Sequence, residues 1–585
     1  MVSVSDVRRW RPPTLDGVFQ ALGSRRDTLV GFDDELHATR SPAGWTGSAA
    51  EAAAKHHGEL TERMRRLVAG ISAVRRATGE AADAVKAVQR ALGDAEHLAG
   101  RYGFSIADDG KIVDIAQSRP TEAPQIRERA AMHAELVDRV EQVLRRANDI
   151  DADLAAVLER AALDRIDDGC GTSLTDASLA GQATGGLSTV GPPQGGSPAD
   201  NSGWWTSLSD AERAAMLKDH PDWIGNLDGL PAVVRDQANR AQIPGERARL
   251  LAEAAKLEPL VDSLTKRLGA STSEIGELSI ARQLAGPAAE LATIKAKLAS
   301  LDAIEETLKQ SDRQLLVMDT SGQRVKAAIA AGNVDTAEHV AVFTPGLGTT
   351  VQGDMRAYDD HMYQLREDAE SESLRANKPT SVAAVTWIGY EAPQASPDEL
   401  LNPNRSVVSD VAARTGAEKL TSFLNGIDAS RTTDPHLTAI GHSYGSLTTG
   451  LALQKGTGVD DAVFFGSPGV GIFHADMLKV PAGHSWVIES RRDIVADLGT
   501  FGGDPSRIGG TTQLSARELT LPDGRRLNES FGHGSVEPKV GYLAPDTTSR
   551  YNMSLVTAGL HHLVKEDTGP RLSDVFGDRP YRGPY

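Results

Sequence analysis

At about residue 314 the hydrophobic pattern of this chain changes period, and no other feature constrains the fold as tightly. Downstream, short apolar runs alternate with helical segments: Leu315–Met318, Val340–Phe343, Val382–Trp387, Leu437–Ile440, Ala462–Phe465 and Trp486–Ile488. Strands recurring between helices predict a mostly parallel sheet covered on both faces, because parallel strands need crossover connections and those connections bury the sheet. Reactive side chains on such a sheet gather at the carboxyl ends of the strands.

Upstream the period is helical. Phe19, Leu22, Leu29 and Leu36 recur at heptad-like spacing, as do Leu60, Met64, Leu67, Ile71 and Val74, continuing to Leu98. The segment 41–50 separates these runs with one Pro and two Gly, and Trp45 within it is expected to cap the seam of an antiparallel helix pair. Asp109-Gly110 predicts a hairpin turn, and another helix is expected over about 122–165. Residues 168–203, rich in Gly, Ser, Thr and Pro, read as a flexible linker. Two long helices follow, lined by Leu250, Leu257, Leu264 and Leu268 and by Leu291, Ile294, Leu298, Leu301, Ile304 and Leu308, with 273–286 joining them. Their stripe suits a packing seam better than a moving lid, with spacer and dimer interface as the other roles. The expected organisation is a helical-hairpin domain over 1–167, the linker 168–203, a helical segment over 204–312 and an α/β domain over 313–585. At 585 residues the chain exceeds a single core, since a domain takes about 100–200.

Composition excludes several functions. A net charge of −18 repels phosphate backbones, so nucleic acid is not an expected partner. No apolar run approaches the ~18 residues of a membrane helix, and the amino-terminal stretch has no apolar core of a secretory signal. The expected location is cytoplasmic, or exported by a route that reads no such signal. The single cysteine, Cys170, rules out an internal disulfide and a cysteine zinc cage. No metal or organic cofactor is expected.

Gly441-His442-Ser443-Tyr444-Gly445 is a Gly-x-Ser-x-Gly pentapeptide between an apolar strand and a small-residue helix. Strand, sharp turn and helix together describe a nucleophile elbow, in which the glycines permit a strained turn that holds the Ser443 hydroxyl exposed. A serine needs a base, and the elbow order places Asp or Glu and then His later in the chain. Asp493 follows the strand 486–488, with Asp497 and Asp504 as rivals. His533 lies between glycines in a loop and is the expected general base; His561 and His562 fall in an expected helix, and His474 and His484 precede Asp493. The backbone N–H groups of Tyr444 and of Leu347, in the Gly-rich turn after the strand 340–343, are the expected oxyanion donors. His442 is expected to be structural rather than a metal ligand.

The segments Val342–Thr349, Val385–Tyr390, Ala439–Ser446, Phe465–Val470 and Phe531–Gly534 resemble the α/β-hydrolase superfamily, and within it an actinobacterial group labelled DUF1023; Ile224–Arg240 is similar to what precedes that domain. The resemblance implies an α/β-hydrolase fold with Ser443 as nucleophile, Asp493 as acid and His533 as base. The first 165 residues, through Trp45-Thr46-Gly47, resemble WXG100-type helical hairpins of type VII secretion, although the tail motif of that group is not evident after Tyr102. The function expected is a serine hydrolase acting on an acyl or lipidic carboxylic ester. The alternatives are a non-catalytic interaction protein on a hydrolase scaffold and an exported effector. A small-molecule or lipid ester is the expected partner, with self-association or partner helices possible through the helical regions.

Overall fold

The computed structural model describes all residues except 40–43, 118–119, 122, 170, 397–405, 407–408, 497–498 and 568–585. Cys170 and Asp497 therefore lie outside the described residues. The chain forms two units, Met1–Ala215 and Met216–Tyr585.

The first unit is helical. Its longest helix, Ser48–Arg101, buries Ala69, Ala73, Ala77, Ala81, Ala84, Val88, Leu92, Ala95 and Ala99, spaced three or four apart and so on one face. Leu136, Val140, Val143, Ala147 and Ile150 of the helix Ala123–Ala162 close that core. The hairpin predicted from Asp109-Gly110 is present as β1 (Phe104–Ile106) and β2 (Ile112–Asp114), with Gly110 at φ +89°. Trp45 does not cap a seam: its ring is 47% exposed.

The 168–203 segment corrects the sequence reading. It contains the helix Leu174–Thr184 and leads into Pro198–Ser207, each opened by a capping box. Its small residues permit close approach to a helix and do not mark flexibility. A Cβ at Gly181 would stand 2.1 Å from the Ala69 carbonyl oxygen, and one at Gly185 would stand 2.3 Å from that of Ala73. The Ser72 and Ser178 hydroxyls meet at 2.9 Å in the same contact.

The second unit is built on an eight-stranded sheet of order β10-β9-β8-β7-β5-β6-β4-β3. Its strands are β3 (Arg313–Asp319), β4 (Lys326–Ala331), β5 (His339–Thr344), β6 (Val382–Ile388), β7 (His436–His442), β8 (Asp461–Phe465), β9 (Ser485–Ile488) and β10 (Thr512–Leu514). From β6 to β10 neighbours run parallel, while β4 is antiparallel to both β3 and β6. Every strand predicted from the apolar runs is present. β4 was not predicted, because Lys-Ala-Ala-Ile-Ala-Ala reads as helix by propensity and becomes a strand only through its two neighbours.

Alternation along the strands separates the two faces. Val340, Val342 and Ala439 pack with Leu420 and Phe423 of the helix Val411–Ala429 and with Leu447 of the helix Tyr444–Leu453. Ala341, Phe343 and Ile440 pack with Tyr358 and Met362 of the helix Val351–Arg375 and with Met553 of the helix Thr548–Thr557.

The long helical hairpin comprises Ala232–Gly269 and Glu274–Thr307. The second helix starts earlier than the spacing suggests, because Ser273 caps it by accepting from the Gly276 N–H. The seam of Ile243, Leu250, Leu291, Ile294, Leu301 and Ile304 continues onto Leu315, Met318, Ala327 and Ile329 of β3 and β4, so this hairpin is a packed buttress on the sheet edge.

The strand that follows β5 in the chain, β6, lies on one side of it, and β7 lies on the other. In open sheets of this kind ligands bind at such a reversal, here the carboxyl ends of β5 and β7.

Candidate active site

β7 delivers Ser443 to that reversal point. Ser443 has φ +53° and ψ −130°, a left-handed conformation that a side chain adopts only when its surroundings impose it. A Cβ at Gly441 would lie 2.7 Å from the Ser446 Cα, and one at Gly445 would lie 2.2 Å from the Thr344 carbonyl oxygen. The two glycines therefore let the turn close on its own helix and on the end of β5. The Ser443 N–H donates to the Phe465 carbonyl at 3.2 Å, and the Ser446 hydroxyl donates to the Ser443 carbonyl at 2.5 Å.

The three residues expected from sequence meet. His533 Nε2 is 2.8 Å from Ser443 Oγ, and His533 Nδ1 is 2.8 Å from Asp493 Oδ1. Asp493 is 1% exposed and Ser443 7%, while the His533 side chain is 31% exposed, so both ends of the chain of bonds are buried, the serine included, and the central imidazole is the part that reaches solvent.

The loops that carry Asp493 and His533 are joined directly. Arg491 and Phe531 form a parallel bridge, the Gly532 N–H donates to the Arg491 carbonyl at 3.0 Å, and the Ser490 hydroxyl donates to the Gly532 carbonyl at 2.6 Å. Tyr542 donates from its hydroxyl to Asp493 Oδ2 at 2.8 Å and accepts from the Ser490 N–H at 2.8 Å. The Ala496 N–H donates to Asp493 Oδ1 at 3.1 Å.

Burial alone would raise the Asp493 carboxyl. The His533 bond and charge, with the Tyr542 hydroxyl and the Ala496 amide, outweigh it and hold the group below its usual range. Burial pushes Tyr542 well above its ordinary value, so it stays a protonated donor.

The competing residues have other work. Asp504 caps the short helix Pro505–Arg507 through the Ser506 N–H and pairs with Arg507. His474 pairs with Asp476 at the surface, and His484 and His561 lie at the opposite edge of the sheet with Asp461.

The backbone that carries the two expected oxyanion donors lies beside Ser443. Tyr444 begins the helix that follows Ser443. A Cβ at Gly346 would stand 2.7 Å from Ser443 Cβ and 2.9 Å from the Tyr444 nitrogen, which puts the turn carrying Leu347 against the elbow. That turn is pinned by the Tyr390 hydroxyl donating to the Pro345 carbonyl at 2.8 Å and by the Gly348 N–H donating to the Pro393 carbonyl at 2.8 Å.

His442 has a role that sequence reading missed. Its Nε2–H donates to the backbone carbonyl of His533 at 3.0 Å, and its ring stacks on Phe465. Burial, with the neighbouring His533, pushes it down to about 3, so it is a neutral donor at ordinary pH. Neither this contact nor the Tyr542 bond has a local signature, since each joins segments far apart in the chain.

Comparison with known proteins adds a family. Residues 320–503 match a family model described as alpha/beta hydrolase, a span that includes Ser443 and Asp493 and stops before His533. An uncharacterised protein of Mycobacterium tuberculosis is 38% identical over 236 residues, which is 39% of this chain and 86% of that protein. A protein of Mycobacterium bovis matches to the same extent. A second M. tuberculosis protein is 30% identical over 316 residues, 53% of this chain and 45% of its own length. Among solved structures, a hyperthermophilic esterase from Pyrobaculum calidifontis aligns with a TM-score of 0.25 at 12% identity, over 49% of this chain and 96% of that one.

Proposed function

The chain belongs to the alpha/beta hydrolase family, and from that premise we propose that it is a serine hydrolase cleaving an acyl or lipidic carboxylic ester through an acyl-enzyme. The observation that carries this reading is the unbroken path from Ser443 Oγ to His533 to buried Asp493, each step 2.8 Å.

His533 Nε2 takes the hydroxyl proton as Ser443 Oγ attacks the carbonyl carbon. Asp493 keeps the other proton on Nδ1 and stabilises the imidazolium that forms. The N–H groups of Tyr444 and Leu347 hold the oxyanion. His533 then returns its proton to the departing alkoxide, which leaves as the alcohol. A water deprotonated by His533 attacks the acyl-Ser443 carbonyl, and collapse releases the acid and restores the serine.

Three exposed apolar side chains support an acyl or lipidic substrate. Leu347 (40% exposed), Ile494 (72%) and Phe531 (41%) each lie at or within two residues of a group in this mechanism. Large apolar groups left in water around a reactive centre suit an apolar ligand.

The test is Ser443→Ala. Turnover of a short p-nitrophenyl ester is expected to fall by at least ~10³-fold, with loss of fluorophosphonate labelling and an unchanged melting temperature. Unchanged turnover removes Ser443 from the mechanism.

A role in export attaches to the first unit and to its WXG100 resemblance. Trp45 is 47% exposed at the start of the helix Ser48–Arg101 and offers an apolar handle to a partner. Appearance of the protein in culture filtrate without lysis, lost in Trp45→Ala, is the expected result. No helix among the described residues is long and apolar enough to cross a membrane. The DUF1023 assignment rests on the motifs given above.

A further inference from the structure

At the amino-terminal edge of the same sheet, several chain segments bring imidazoles to one carboxylate. Asp461, the first residue of β8, is fully buried. Its Oδ2 is 2.8 Å from Nε2 of His436, which opens β7, and 2.7 Å from Nε2 of His561, which follows the helix Thr548–Thr557. Its Oδ1 is occupied on the other side by the Trp486 Nε1–H at 2.7 Å and by His484 Nδ1 at 2.9 Å. The mechanism uses none of these residues. β7 is seven residues long, which separates this cluster from Ser443 by about 20 Å.

Two features point to a ligand. The Nε2 of His436 is buried and has no hydrogen bond of acceptable direction, so it points beside Oδ2 and not at it. The Nδ1 of the same ring is 3.0 Å from Nδ1 of His339, so one of the two must carry the proton between them. With that proton on His436, its Nε2 is a buried, unprotonated nitrogen 2.8 Å from a carboxylate oxygen and aimed beside it, an arrangement that a cation resolves.

We infer that Asp461, His436 and His561 form a structural site for a zinc-like divalent ion at the base of the sheet, with Asp461 Oδ2 and the two Nε2 atoms as ligands. Their donor atoms lie within 4.8 Å of one another. Two imidazoles and one carboxylate are a zinc-type donor set, and solvent supplies the fourth position. Trp486 and His484 orient the carboxylate and His339 orients the His436 ring, the outer support that metal ligands require. Around a tetrahedral ion with bonds of about 2.0 Å, donors stand about 3.3 Å apart, so binding moves each imidazole about half an ångström away from Asp461 Oδ2 and draws the two Nε2 atoms, which lie within 4.8 Å of each other, together by up to about 1.5 Å. The ion would tie β7, β8 and the segment after the last long helix together. Its binding displaces protons held between imidazole and carboxylate.

The test uses the full chain, stripped with EDTA, refilled with zinc chloride and dialysed. About one zinc per chain by elemental analysis and a raised melting temperature are expected. Replacing both His436 and His561 by Ala should lower retained zinc at least tenfold, while His474→Ala, at the surface, should not. Absence of retained zinc in the unaltered protein, or equal retention in the double variant, overturns the site. If the double variant does not fold, cobalt-filled unaltered protein decides. Intense four-coordinate visible bands support the site, and weak bands or none reject it.

Discussion

The sheet holds a buried aspartate at each edge, and both accept from histidine. Asp493 takes one imidazole, one phenol and one amide, and its histidine reaches onward to a serine held in a strained turn. Asp461 is approached by three imidazoles and an indole, none of which is within hydrogen-bond reach of a hydroxyl nucleophile in the bonds described. A buried carboxylate with a histidine is therefore not in itself a catalytic device. What distinguishes the Asp493 edge is position: the strand order reverses between β5 and β7 there, and the turn after β7 places a hydroxyl within reach of its histidine. At the other edge the same chemistry joins strand beginnings, where the geometry suits cohesion.

The sharpest way to break this comparison is to remove both carboxylates in turn. Asp493→Asn is expected to lower kcat by about 10⁴-fold, because the amide no longer fixes the reactive tautomer. Asp461→Asn is expected to register in stability, costing roughly 3 kcal/mol, since its imidazole partners stay buried and mismatched. For a unit of this size that is a fall on the order of 5 °C in melting temperature. If Asp461→Asn matches the kcat loss of Asp493→Asn, the two edges do not differ as described.

A smaller effect follows from Gly346→Ala. The added methyl would stand 2.7 Å from Ser443 Cβ and 2.9 Å from the Tyr444 nitrogen, so either the elbow or the oxyanion turn must shift. A displacement of that order costs about 100-fold in kcat. Single-turnover acylation measures it, and an unchanged rate would separate the turn carrying Leu347 from the reaction.

Smaller again is His442→Phe, which keeps the ring and deletes the bond to the His533 carbonyl. One neutral hydrogen bond is worth about 1 kcal/mol, so a loss in kcat of up to tenfold is expected, with KM held. His442→Gln, which offers an N–H donor, should recover part of it. A purely packing role predicts the reverse order of the two variants.

The smallest effect lies in the acid limb of stability. The folded Asp493 carboxyl sits below its ordinary value of 3.8. A depressed carboxyl contributes stability that is fully present above the unfolded value and lost as pH falls through the folded one. Melting temperature should therefore drop below about pH 4, and Asp493→Asn should make that drop shallower. An equal slope in both proteins would mean that the carboxyl has no net favourable partner in the fold.

The elements legible in the sequence were those with a local physical cause. The elbow could be read because its glycines, its serine and the flanking strand and helix lie within a few residues of each other. The strand at 340–343 could be read because consecutive residues must satisfy two opposite apolar faces. β4 could not, since alanines carry little strand preference of their own. The 168–203 segment misled because glycine and serine serve equally in a mobile linker and in a close helix contact, and only a neighbouring backbone distinguishes the two.

By itself, the sequence determined the type of fold, the candidate nucleophile and a short set of candidate acids and bases, because period, turn strain and chain order are properties of neighbouring residues. Tertiary structure decided the rest. It brought His533 to Ser443 across 90 positions, gave Asp493 its phenol and amide partners while Asp504 went to a helix cap, turned His442 toward a backbone carbonyl, and gathered imidazoles around Asp461. Each of these is a contact between distant segments, fixed by strand order and register, and no local preference encodes it.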